Sequence, residues 1–143
     1  VTLSLQCRIL DALAATLEGM PGVDTFVTDS ARVISRPDGV AVSLDLDGNA
    51  SDQLSKTCEV DTTLPVLVTI YATREPNGPP NWQILDPVYV ELHRRVMADR
   101  RLGGLSLDIT SEGRTFEADI KVCAVGCRYA VKYRTRQEDV TLQ

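Results

Sequence analysis

The sequence predicts an α+β fold: one mainly antiparallel sheet with two principal helices packed on one face, in a single domain. Three observations predict it. Two stretches, 3–18 and the run after Asp86, repeat their apolar residues at helical spacing. Several others, at 40–46, 57–72, 105–109 and 116–133, alternate apolar and polar residues as strands do. The chain has 143 residues, 43% hydrophobic and 24% charged, which suits one globular domain with a sizeable core.

The first helix is expected over 3–18. Leu3, Cys7, Leu10, Ala14 and Leu17 share a face, with Leu13 beside them. Thr2 or Ser4 is placed to cap its start, and Gly19 with Pro21-Gly22 stops it. Val23–Val27 is short and β-prone. In 40–46, Val40, Val42, Leu44 and Leu46 point one way and Ser43 and Asp45 the other. Asp47-Gly48 is a turn signal, and the polar stretch 49–56 reads as a loop.

Residues 57–72 carry the longest strand pattern, with Cys58, Val60, Thr62, Leu64, Val66, Val68, Ile70 and Ala72 on one face. Proline donates nothing to a ladder, so Pro65 is expected at a bulge or an edge. The length suggests a bend or an arm beyond the sheet. Residues 74–81 are rich in breakers and read as a loop. Asp86 then caps a helix with Pro87 at its first position. Val88, Leu92 and Val96 form its stripe, beside Tyr89 and Met97, and Arg94, Arg95, Arg100 and Arg101 sit late in it, where cations complement the helix dipole. Gly103-Gly104 ends it.

Leu105, Leu107 and Ile109 open another strand, and Ser111-Glu112-Gly113 reads as a turn. Phe116, Ala118, Ile120, Val122 and Ala124 continue on even positions, and after Gly126 the parity flips to Cys127, Tyr129, Val131 and Tyr133. A phase change at a glycine predicts a β-bulge there. The tail from about residue 136 is polar and expected to be mobile or ordered by a partner.

The net charge of −5 is uneven. Residues 1–85 hold 5 basic and 11 acidic groups, net −6, and residues 86–143 hold 10 and 9, net +1. An acidic chain is not expected to grip nucleic acid with its whole surface. Two electrostatically different faces suit contact between identical subunits. No apolar run approaches the roughly 20 residues that span a bilayer. The N-terminal residues show no basic region followed by an apolar block, so no signal peptide is expected, and a reducing compartment follows. Cys7, Cys58, Cys123 and Cys127 then read as free thiols, the alternative being a metal site or a disulfide.

Catalytic chemistry finds little to use. His93 is the sole histidine and lies mid-helix beside arginines, so a Ser-His-Asp or Cys-His site has one candidate only; the plainer reading is a partly exposed helix histidine. Asp45-Leu46-Asp47-Gly48-Asn49 with Asp52 has calcium-loop character, but Gly48 is fourth and Lys56 twelfth, where an EF-hand needs glycine sixth and glutamate twelfth. A hairpin turn or acidic loop suffices. Gly103-Gly104 follows a helix, where a phosphate loop would open one. No enzyme activity, cofactor or metal site is expected. Arg128, Lys132, Arg134 and Arg136 fall on one strand face with Tyr129, Val131 and Tyr133 behind. That row is a solvated face, a strip for an acidic protein partner, or a phosphate-binding strip.

Asp86-Pro87, the helix containing Leu92-His93, and the run Met97-Ala98-Asp99-Arg100-Arg101-Leu102-Gly103-Gly104-Leu105 resemble the tail terminator proteins of long-tailed bacteriophages, relatives of the lambda minor tail protein U. The run Tyr129-x-Val131-x-Tyr133-Arg134-Thr135 followed by Asp139 and Thr141 is similar, as is the opening helix with its Pro21-Gly22-Val23 step. Residues 28–82 carry little of the likeness. The resemblance implies a ring, six subunits in number, that caps the tail tube, ends its polymerisation and offers a surface for head–tail joining. Its implied partners are further copies of itself, the tail tube protein, a head-completion or connector protein, and DNA that passes through the lumen without specific binding. No membrane is involved. Its implied place is the neck of the virion tail, after assembly in the bacterial cytoplasm. Another neck or head–tail connector protein, or a generic oligomeric binding module, is the competing reading. Candidate interface residues are Glu59, Asp61, Arg94, Arg95, Arg100, Arg101, Arg128, Lys132, Arg134 and Arg136, and candidate lumen residues are Asp45, Asp47 and Asp52.

Overall fold

The computed structural model describes residues 2–28, 39–119 and 121–142. In chain order they form α1 (Leu5–Leu17), β1 (Thr25–Val27), β2 (Val40–Leu46), β3 (Ser51–Leu54), β4 (Glu59–Thr73), α2 (Asn81–Ala98), a 3₁₀ turn (Leu102–Gly104), β5 (Asp108–Ala118) and β6 (Val122–Arg136). The strands make one sheet in the order β1-β2-β4-β6-β5, with β3 also pairing β4. β1 runs parallel to β2, and the other pairs are antiparallel. The expected α+β class stands.

α1 starts where Ser4 Oγ accepts the Cys7 N–H at 3.2 Å, satisfying one orphan amide of the first turn. Its buried stripe is Leu5, Ile9, Leu13 and Leu17, an unbroken i, i+4 series. This corrects the expected face. Leu3 is exposed, and Cys7, Leu10 and Ala14 flank the true stripe at intermediate burial.

α2 begins five residues before the expected cap. Pro80 is its N-cap and Pro87 lies inside it. Leu85, in the added turn, is 3% exposed, and that burial favours helix ahead of the Asp86-Pro87 signal. Pro87 is solvent-facing, so the carbonyl it leaves without a partner is open to water. The other end also differs: α2 stops at Ala98, and Arg100 and Arg101 sit in the turn beyond it. Gly103 and Gly104, at φ 66° and 98°, reverse the chain into β5. Leu85, Val88, Leu92 and Val96 of α2 join the stripe of α1 over the sheet in one core. Each fully buried aliphatic side chain of this kind contributes about 1.5–3 kcal/mol.

On the sheet, Val42 pairs with Ile70, Leu44 with Val68, Val66 with Tyr129 and Leu64 with Val131, and these residues make the core face. Residues 51–54, expected as loop, form β3 instead. β4 is therefore no free arm. β6 pairs its whole length, and β2 and β3 divide its other side. Pro65 sits between them. Its carbonyl accepts the Asp47 N–H at 3.0 Å, so its donor-less nitrogen points into the gap between β2 and β3. The expected edge is thus a local one, in the middle of the sheet.

The expected bulge at Gly126 is absent, because β6 keeps one register against β4 from Val122 to Arg136. The β6 residues in the main core cluster are all odd: Cys123, Val125, Cys127, Tyr129, Val131 and Tyr133. The bulge lies on β5 between Ser111 and Arg114, at the expected turn. A second parity change occurs in the hairpin after Ala118, where Ile120 lies outside the described residues. Leu105 and Leu107 precede β5, and Leu107 is 46% exposed.

Residues after β6 fold back. Arg136 N–H reaches Leu142 O, Gln137 N–H reaches Cys58 O, and Val140 O accepts Leu5 N–H at the start of α1. Arg8 donates to the Thr141 carbonyl. The segment expected to be mobile or ordered by a partner is thus hydrogen-bonded to its own domain, and it satisfies an amide at the start of α1.

Candidate subunit interface

Both helices contribute to the core on one face of the sheet, and no described helix packs on the other. Alternation decides what that second face shows. From β2 it takes Ala41, Ser43 and Asp45; from β4, Glu59, Asp61, Thr63, Leu67, Thr69 and Tyr71; from β6, Ala124, Gly126, Arg128, Ala130, Lys132, Arg134 and Arg136. Small residues occupy its middle, where Ala41, Ser43, Thr69 and Ala130 are buried, and charges concentrate towards the β3 end.

The expected basic row exists. Arg134 donates to Asp61 Oδ1 at 2.6 Å and to Asp61 Oδ2 at 3.1 Å, with Glu59 at 3.3 Å. This forked bond holds the Asp61 carboxyl below the usual carboxylate range, against a smaller opposing effect of burial. Arg128 bridges Asp47 at 3.2 Å and Thr115 Oγ1 at 2.8 Å. Lys132 pairs in register with Thr63 and Asp108 and is exposed. Arg136 ends the row, exposed.

The structure separates the three candidate lumen acids. Asp45 lies on the helix-free face, and Asp47 reaches that face through Arg128. Asp52 pairs with Thr62, a core-face position, and accepts the Thr62 hydroxyl at 2.7 Å. A single surface lined by all three is therefore corrected: on a strand with a two-residue period, pairing opposite Thr62 turns Asp52 away. The same split denies them a common calcium site.

The four arginines of the α2 region also divide. Glu91 holds both Arg94, at 2.6 Å, and Arg95, at 2.9 Å, and these bonds lower the Glu91 pKa. Arg95 donates further to the carbonyls of Thr16 and Glu18, at 3.2 and 3.1 Å. It is thus a strut between α2 and the end of α1. Arg100 lies 3.5 Å from Asp108, and Arg101 is exposed.

His93 is tied to the core. Its Nδ1 lies 2.9 Å from the Tyr129 hydroxyl, and its ring sits between those of Tyr89 and Tyr129. Burial pushes the Tyr129 phenol well above its ordinary range. Burial likewise raises the Cys123 thiol, and the Cys127 thiol to about 11, so neither is a ready thiolate at neutral pH. Among the described residues no group of three or more His, Cys, Asp or Glu could hold a metal ion. No helix among them is long and apolar enough to cross a membrane.

Two surface features escaped the sequence reading. Trp82 and Phe116, exposed at 68% and 65%, flank a notch of about 370 Å³ floored by Leu85. Arg114 lies over the Tyr89 ring at 4.4 Å from its centroid. A lone tryptophan just after Pro79-Pro80 was the available signal for the first. No protein-family model and no curated protein matches this chain.

Proposed function

We propose that this chain is a structural subunit of a closed ring that caps a phage tail tube, ends tube growth and receives the head-side connector, in the manner of the tail terminators its sequence resembles. One observation supports this most: both helices serve one face of the sheet, and the other carries partly exposed, fixed ion pairs with no described helix upon it. Charges already oriented by intramolecular partners present a rigid pattern and lose little entropy on docking. The chemistry-bearing side chains favour the same reading, since His93, Tyr129, Cys123 and Cys127 are engaged in or beneath the core. The net charge of −5 favours a lumen that lets DNA slide without holding it.

The test uses purified tail tubes that lack their head-proximal ring. Added protein stops tube growth at a fixed length, appears in class averages as a closed ring of six at one end, and makes the tubes competent to join heads. Protein that stays monomeric at high concentration with tubes present overturns the proposal. A ring found only on the head side, with tube length unaffected, replaces it with the connector reading.

A further inference from the structure

We infer that the outer half of β5 is a docking edge for the same edge of a second copy, the two strands running antiparallel about a two-fold axis at Phe116. The pairing goes beyond the ring reading and does not rest on it. β5 ends the sheet, with β6 on its inner side and no described strand on its outer side. Every residue from Ser111 to Asp119 is exposed, so neither face of this half is covered. An edge of this kind offers a row of unpaired amides and carbonyls, and another extended strand is what satisfies such a row.

The hydrogen-bond phase identifies the open groups. Asp119 N–H bonds Val122 O at 2.9 Å, so Asp119, Glu117 and Thr115 direct their amides and carbonyls to β6. Arg114, Phe116 and Ala118 direct theirs outward, where no described residue bonds them. The exposed rings of Phe116 and Trp82 stand beside this edge, with Arg114 6.0 Å from the Phe116 centroid.

Register and charge select a second copy. Setting Phe116 against its own copy places Arg114 opposite Ala118 and Thr115 opposite Glu117. The three outward residues of each strand are then all paired, and no like charges stand opposite each other. The small Ala118 leaves room for Arg114. Glu117 arrives at Thr115, whose Oγ1 already accepts from Arg128 at 2.8 Å, with Arg128 held by Asp47 at 3.2 Å. A carboxylate thus approaches a guanidinium twice in one contact. Neighbouring registers do worse. Centring on Arg114 or Glu117 sets that charge against its own copy, and centring on Thr115 leaves Ala118 facing the bulge. The cross-strand Phe116 pair, with Trp82 of each copy beside it, takes aromatic surface out of water. A two-fold contact closes at two copies, so it makes a dimer of the free chain and differs from the head-to-tail contacts of a ring.

The experiment follows the full chain by sedimentation equilibrium over a concentration series, with the emission of Trp82, the sole tryptophan, as the local signal. Wild type dimerises, and its emission shifts to the blue as it does. Ala118→Pro removes one outward N–H, and Glu117→Lys brings a second cation towards Arg128. Each is expected to weaken the dimer about 10-fold, with thermal unfolding confirming that both variants are folded. Directly opposed residues of this kind have Cα atoms about 5.5 Å apart, within disulfide reach. In a Cys58→Ser background, Phe116→Cys therefore crosslinks to its own copy on oxidation faster than Thr115→Cys does. Wild type that stays monomeric at its highest soluble concentration, a dimer that neither variant weakens, or equal crosslinking at both positions overturns the pairing; tail tubes take no part, so the ring reading is left standing. A closed hexamer that both variants leave intact overturns the pairing and supports the ring.

Discussion

The contact between His93 and Tyr129 decides whether the sole histidine is structural, and its energy is open to calculation. Tyr129 is 3% exposed, and its hydroxyl lies 2.9 Å from His93 Nδ1. Tyr129→Phe removes a hydrogen bond worth about 1 kcal/mol and leaves a half-exposed imidazole that bonds to water. His93→Ala strands a buried phenol, at about 1–3 kcal/mol, and loses ring contacts with Tyr89 and Tyr129 worth about 1 kcal/mol more. The histidine change is therefore the costlier one, by about 2–4 kcal/mol against 1. The double variant shows a coupling of about 1 kcal/mol. For a domain of this size 1 kcal/mol moves Tm by about 3 °C, within reach of urea and thermal unfolding. The phenol adds a pH test. Its pKa is raised in the folded state, so its contribution is complete below the ordinary value of 10 and is lost as pH rises beyond it. Tyr129→Phe flattens that alkaline loss. A coupling within 0.3 kcal/mol of zero, by the roughly additive behaviour of independent sites, refutes the contact.

Leu92→Ala empties a position with 0% exposure between α2 and the sheet and is expected to cost about 2–5 kcal/mol by urea unfolding. Arg95→Ala releases the carbonyls of Thr16 and Glu18, lowers stability by about 1 kcal/mol and speeds amide exchange in the last turn of α1; Arg95→Lys does not restore it, because one ammonium cannot span the same acceptors and Glu91. Asp61 is depressed by Arg134, so its stabilisation is complete above the ordinary carboxylate value of 3.8 and is lost as pH falls below it. Asp61→Asn flattens the unfolding midpoint in that acid window, and an unchanged acid limb shows that the pair contributes nothing.

Period-2 alternation identified the core face from Val42 to Leu44 and from Thr62 to Ala72, because a sheet with one buried face imposes that pattern; Leu46 and Cys58, expected on it, are exposed at the strand ends. The α2 stripe of Val88, Leu92 and Val96 was legible for the matching helical reason. Failures came where local chemistry lost to packing. Asp86-Pro87 has the signature of a helix start, yet burial of Leu85 carries the helix back to Asn81. Residues 51–54 are all exposed and only Leu54 is apolar, so no alternation marked β3; pairing with β4 makes it a strand. The charges of the candidate interface were legible as a row on β6, because even spacing alone shows it. Their partners were not, since Asp47 and Asp61 reach them from other strands.

Phe116 shows how parity errors propagate into function. Ile109 and Phe116 are seven residues apart, an odd number, so an unbroken strand would put them on opposite faces. Between Ser111 and Arg114 three residue steps on β5 match two on β6, from Tyr129 to Cys127. That single extra residue, with Gly113 at φ 100°, brings Phe116 round to the face of Ile109 and Val125, beside Trp82. Without it Phe116 would turn to the helix-free face, and the notch at the start of α2 would lose one wall. The expected turn at Ser111-Glu112-Gly113 thus had the right residues and the wrong consequence. A break in β5 was foreseen there, but its effect is to rotate the outer half of an edge strand, which places an aromatic side chain beside Trp82 at the start of α2.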